Sequence, residues 1–148
     1  MFWRALLLLT LVKLIAAQEA ERFESVIIGL GWNTFAFGPA GSSVGDGYRV
    51  NSTTPVLLRI TDFSCSGDQF EVFVDKVSQG NTSVPIFDNC LTYTADPNAA
   101  FFSTVGWSRA YYILPAGPHE ITLKTVLSPF GEGLGAIRFD YNTYLQPT

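Results

Sequence analysis

From residue 56 onward, apolar and polar side chains alternate with a period of two in four separate stretches. In VLLRITDF, Val56, Leu58 and Ile60 share one face while Arg59 and Thr61 take the other. In QFEVFVDKV, Phe70, Val72 and Val74 oppose Gln69, Glu71, Phe73 and Asp75. HEITLKTVL aligns Ile121, Leu123, Thr125 and Leu127 against Glu120, Thr122 and Lys124, and AIRFDY aligns Ile137, Phe139 and Tyr141 against Arg138 and Asp140. Successive side chains of a strand point to opposite faces, so each stretch predicts a half-buried strand whose apolar face needs a second layer.

Turn-forming residues fall between these stretches. FGPAGSSVGDG (37–47) reads as a glycine-rich loop or irregular edge, SQGNTS as a connection, LPAGPHE as a tight hairpin, and SPFGEGLG as the separator of the last two strands. Thirteen glycines, eight prolines and short strands at this spacing predict an all-β fold, an antiparallel two-sheet β-sandwich. No internal repeat, long charge run or low-complexity linker divides the chain, so residues 18–148 read as one domain.

The opening residues change the picture of location. MFWRALLLLTLVKLIAAQ carries a basic start at Arg4, an apolar run and small residues at Ala16 and Ala17, the pattern of a secretion signal over residues 1–17. Lys13 interrupts the apolar run, which argues against a permanent membrane span, as that needs about 20 apolar residues. Without Arg4 and Lys13 the formal charge moves from −4 to −6, from 7 basic against 13 acidic side chains. Such an acidic chain without a basic run makes nucleic acid a poor partner. The reading is therefore a secreted, extracellular protein with no membrane span once the signal is removed.

An exported chain with two cysteines, Cys65 and Cys90, is expected to form one disulfide. Closing that loop stabilises the fold by roughly 3.5 kcal/mol in the chain-entropy description. Two glycosylation sequons, at Asn51 and Asn81, lie in polar stretches expected between strands.

The stretch DFSCSGDQFEVFVD (62–75) gathers carboxylates around Cys65. A hairpin would bring Asp62 and Asp68 to one loop mouth, where with Glu71 and nearby carbonyls they offer calcium the several oxygen ligands it requires. The competing reading is that both aspartates cap turn N–H groups. Asp68 and Glu71 differ by an odd number of positions, so in a regular strand they face opposite sides. Catalysis finds less support. His119 is the single histidine, no nucleophile elbow is present, and none of the many carboxylate pairs is distinguished as a glycoside-cleaving pair. Zinc lacks its usual ligand set.

Trp32, Trp107, Tyr111 and Tyr112 are candidate ligand-contacting aromatics, against the alternative that they fill the core. Of the adjacent Tyr111 and Tyr112, a strand exposes one when it buries the other.

The run from VLLRITDF through CSGDQFEV to Cys90, ending in GLGAIRFDY, resembles CUB-type extracellular domains. Cys65, Asp68, Glu71, Val72 and Cys90 match the order of that pattern, and Asp68 is the acidic residue that transfers by position. The chain is also similar to secreted fungal and bacterial proteins with TD…GDxFxV and LPAGxHxIT segments. The resemblance covers most of residues 48–142. It implies a jelly-roll-like sandwich and extracellular binding that is often calcium-assisted. The expectation is a secreted, non-catalytic domain that binds a protein or glycan, with possible calcium and no other cofactor. A structural cell-wall or matrix role is the alternative, and a small glycan-acting hydrolase follows it.

Overall fold

Among the described residues the chain forms ten strands: β1 (Phe23–Ser25), β2 (Trp32–Phe37), β3 (Gly47–Ser52), β4 (Val56–Cys65), β5 (Gln69–Val74), β6 (Val77–Asn81), β7 (Tyr93–Thr94), β8 (Arg109–Leu114), β9 (Gly117–Leu127) and β10 (Gly133–Tyr141). Among the described residues one short helix, α1 (Pro97–Phe102), interrupts them. The structure is a computed structural model and describes residues 22–86, 88–104 and 106–143. The secretion signal expected at 1–17 lies outside the described residues.

The strands form two sheets. The first runs β1-β3-β9-β5-β6; the second runs β2-β10-β4, with β8 on the far side of β4 and β7 bridging the end of β4. All pairings are antiparallel except β1 with β3. From β2 to β5, and again from β8 to β10, the chain changes sheet at each step. Each of these strands has one apolar face that must be covered by the opposite sheet, and the crossings build both walls around one core.

The core follows the alternation closely. Tyr48, Val50, Phe70, Val72, Ile121 and Leu123 from the first sheet meet Phe35, Phe37, Val56, Leu58, Ile60, Leu114, Ile137 and Phe139 from the second. Phe70 is fully buried, with its ring edge-on to Phe35 at 5.4 Å and to Phe37 at 4.9 Å. The close approach of Phe35 requires glycine on the neighbouring strand: a Cβ on Gly135 would lie 2.3 Å from the ring.

Several connections differ from the sequence expectation. LPAGPHE is not a hairpin, because β8 and β9 lie in different sheets; it is an arch across the sandwich. QFEVFVDKV does not continue as one strand but turns at Asp75 (φ 50°) and Lys76 (φ 67°). Two consecutive left-handed residues make the primed two-residue turn suited to a right-twisted hairpin. Asp-Lys lacks the glycine that usually announces such a turn, which hid it. SQGN is consequently not a connection but belongs to β6. Asn51 and Asn81 therefore stand at the ends of β3 and β6 rather than between strands, and both are exposed.

Alternating burial in β4 breaks at Thr61, Asp62 and Phe63, which are all buried. The segment between β6 and β8 covers the outer side of the sheet there. It is tied down by Asp62 N–H to the Ser108 carbonyl at 2.9 Å, Ser66 N–H to the Thr92 carbonyl at 3.1 Å, and the Cys65–Cys90 disulfide. Phe63, Ala100 and Ala136 form a second small core beneath this cover, with Trp32 and Trp107 packed against it.

Truncating the cross-sheet anchor, Phe70→Ala, is expected to cost about 3–5 kcal/mol in denaturant unfolding. Replacing both cysteines by alanine should cost about 3 kcal/mol, measured the same way under non-reducing conditions.

Candidate functional site

Two regions draw on residues singled out from the sequence: an acidic corner inside one end of the sandwich, and the outer face of the β4–β8 pair.

At the corner, Asp62 continues the inward phase of Val56, Leu58 and Ile60, so its carboxylate enters the sandwich rather than a loop mouth. The chain then arches from β4 to β5 and returns Asp68 to the same place. Gly67 sits at the arch with φ 136°, and a Cβ there would lie 2.9 Å from both Asp88 Cα and Pro129 Cγ. Asp62 is 0% exposed and Asp68 2%. Asp62 Oδ2 accepts the backbone N–H of Gly67 at 3.1 Å and of Asp68 at 3.2 Å, so the turn-capping role expected of Asp62 is present. Asp62 Oδ1 and Asp68 Oδ1 are buried with no hydrogen-bond partner.

Burial first, and the negative charge of Asp68 second, push the Asp62 carboxyl up to about 8. Burial pushes Asp68 up to about 6. Two carboxyl groups in contact and removed from water are best satisfied by a proton held between them. The expected calcium trio does not converge. Glu71 points to the other face of β5, where its Oε1 accepts the Ser78 hydroxyl at 2.7 Å. Among the described residues no group of three or more His, Cys, Asp or Glu side chains is arranged to hold a metal ion.

His119 is fixed within the first sheet. Its Nδ1 meets Asp75 Oδ2 at 2.7 Å and its Nε2 meets the Pro115 carbonyl oxygen at 2.9 Å. The Glu120 backbone N–H, and after it the His119 ring, hold the Asp75 carboxyl below its ordinary value. With both nitrogens engaged, the imidazole serves as a brace between the β5–β6 turn and β9.

On the other sheet the aromatics separate. Tyr112 turns inward and packs against the main core, while its neighbour Tyr111 is 69% exposed. Trp32 and Trp107 pack on the small core under α1, and the Trp32 indole N–H donates to Asn98 Oδ1 at 2.9 Å. The four candidates thus form no common platform. Instead, Tyr111 joins residues the sequence did not single out. A groove of about 370 Å³ is lined by Leu57, Arg59, Phe101, Phe102, Tyr111, Ile113 and Asn142. Strand β4 forms its floor, β8 one wall and α1 the other.

Local chemistry holds that second wall. Pro97 starts α1, and the Asp96 side chain caps it by accepting Asn98 N–H at 2.9 Å. Arg109 reaches under the helix to the carbonyl oxygens of Phe101 and Ser103. On the floor, Arg59 is paired with Asp140 at 2.8 Å. Phe102 and Ile113 remain 66% and 54% exposed. Ile113 was legible as the residue two positions after Tyr111 on the same face; Phe102 was not, because six helical residues show too little periodicity to orient them.

The acid pair generates a pH dependence with a definite sign. The folded pair binds protons more tightly than the unfolded chain does. Its contribution is therefore complete below the ordinary carboxylate value of 3.8 and is lost as pH rises through about 6 and then about 8. The melting temperature is expected to fall by about 5 °C or more between pH 5 and pH 8.5. Asp62→Asn, which can donate where the protonated acid does, should flatten that profile. Millimolar calcium at pH 7.5 should leave the wild-type melting curve in place.

No protein-family model matches this chain, and no curated protein matches it. Among solved structures, it is similar to the pre-peptidase C-terminal domain of a collagenase from Bacillus anthracis. The identity is 9%, the match covers 82% of this chain and 98% of that chain, and the TM-score is 0.42.

Proposed function

We propose that this protein is a secreted, non-catalytic β-sandwich that binds an extracellular protein through the outer face of β4 and β8. The observation that carries the reading is the exposed apolar cluster of Tyr111, Ile113 and Phe102 around one groove. Aromatic rings bordering an aliphatic pocket supply the buried anchors of a protein interface. Leu57 and Ile113 favour a partner's apolar side chain over a sugar, whose hydroxyls need several directed polar groups. Arg59, the nearest strong donor, is already engaged by Asp140.

Secretion is supported by the leader-like first 17 residues and by the Cys65–Cys90 bond, which persists in oxidising compartments. The non-catalytic part is supported by the state of the acid–base groups. Asp62 and Asp68 are inside the sandwich, in contact with each other, and cannot flank a substrate bond across a cleft. The His119 nitrogens are both occupied. Nothing in this reading requires a cofactor.

The test is binding to arrayed extracellular proteins and glycans with wild type and the Tyr111→Ala/Ile113→Ala double variant. Saturable binding to a protein, weakened at least roughly tenfold in the variant, is the expected result; a hot-spot residue contributes about 2 kcal/mol. Both side chains are exposed, so the variant should melt within about 1 kcal/mol of wild type. Selective retention on glycans would replace the partner class, and binding undiminished in the variant would remove this face from consideration.

A further inference from the structure

A groove of about 610 Å³ lies on the other sheet, away from the proposed protein-binding face. It is lined by Ser25, Val26, Arg49, Val50, Asn51, Asp75, Pro118, His119 and Glu120. Its polar groups fall into two kinds. Asp75 and His119 are closed on each other and on the backbone of β9. Arg49 and Glu120 are paired but open. Arg49 Nε and Nη2 both meet Glu120 Oε1, at 2.9 and 2.8 Å, and the guanidinium lies over the Phe23 ring at 4.6 Å. Among the described residues, Arg49 Nη1 and Glu120 Oε2 carry no side-chain partner. They leave a donor and an acceptor among the residues lining the groove.

Asn51 stands two positions along β3 from Arg49, on the same outer face and roughly 7 Å away. It is paired in register with Pro118, and its amide has no hydrogen-bonded partner among the described residues. It begins the sequon Asn51-Ser52-Thr53. We propose that Asn51 is glycosylated and that the groove seats the reducing-end N-acetylhexosamine of that glycan. The C–H face of the sugar lies on Pro118 and Val26, and its polar edge meets the Arg49–Glu120 pair. The inference rests on the secreted reading, since attachment needs the export pathway.

The attachment chemistry is that of an N-glycosyl transfer. The Asn51 amide nitrogen attacks C1 of a lipid-pyrophosphate-linked oligosaccharide, the C1–N bond forms, and the C1–O bond to pyrophosphate breaks. The amide proton passes to a base of the host transferase. Folding of β3 against β9 then places the first sugar over the groove.

The second sequon provides the control within the same molecule. Asn81 ends β6, an edge strand exposed at every residue, where a first sugar would have water on all sides. The full chain secreted from eukaryotic cells would be digested with a peptide-N-glycosidase, which must reach the first sugar, and each site followed by glycopeptide mass analysis. In the native protein the Asn51 glycan should be released several-fold more slowly than the Asn81 glycan, and after denaturation the two rates should match. Arg49→Ala, a surface change, should speed release at Asn51 and leave Asn81 unchanged.

Equal native rates, or an Asn51 rate unmoved by Arg49→Ala, overturn the seating. A bare Asn51 beside an occupied Asn81 overturns it while leaving the secreted reading intact. Two bare sequons in a chain that fails to leave the cell overturn both.

Discussion

Phe70 ties the two layers together. Its ring comes from the first sheet and meets Phe35 and Phe37 of the second edge-on, within the main core. The rest of the architecture can be derived from that closure. Once one face of each strand is committed inward, the opposite faces of the two sheets become independent surfaces. One carries the charged groove beside β1 and β3; the other carries the aromatic groove under α1. An aromatic pair gains about 0.5–1.5 kcal/mol beyond area burial, so the local geometry contributes to register as well as to stability.

Much of this closure was legible along the chain. Val56, Leu58, Ile60, Phe70, Val72, Ile121, Leu123, Ile137 and Phe139 are all buried in the main core, as their period of two requires. What the period cannot reveal is which sheet receives the next strand. LPAGPHE reads as a hairpin because it is short and rich in turn residues, yet it arches over the core. Local composition specifies that a chain reverses and leaves open whether it pairs with itself or crosses. The Asp75-Lys76 turn was hidden for the opposite reason: two non-glycine residues accept left-handed backbone there because the β5–β9 pairing and the Asp75 carboxylate hold them.

The acidic corner shows the same limit in a functional setting. That Asp62 and Asp68 come together was foreseeable from their spacing around the arch. Their enclosure was also encoded, since Asp62 keeps step with three core aliphatics, but a charged residue at a strand end invites the assumption that the strand has already reached water. Burial changes the chemistry. In water the two groups would be separate anions suited to a cation; inside the sandwich, burial raises both carboxyls and opposes their charge. Tyr111 and Tyr112 illustrate the simpler case, in which one bit of information, the strand phase, sends one ring outward and the other inward.

The helix wall of the aromatic groove belongs to a segment fastened to the scaffold at the disulfide, at Ser66 and Ser108, and through Arg109. None of its described residues enters the main core. The scaffold and this covering segment can therefore diverge at different rates. Exchanging the helix from Pro97 to Phe102 would recast that wall while the pairings of β4 with β8, β10 and β7 all lie outside the exchanged residues, much as interchangeable heads fit one handle.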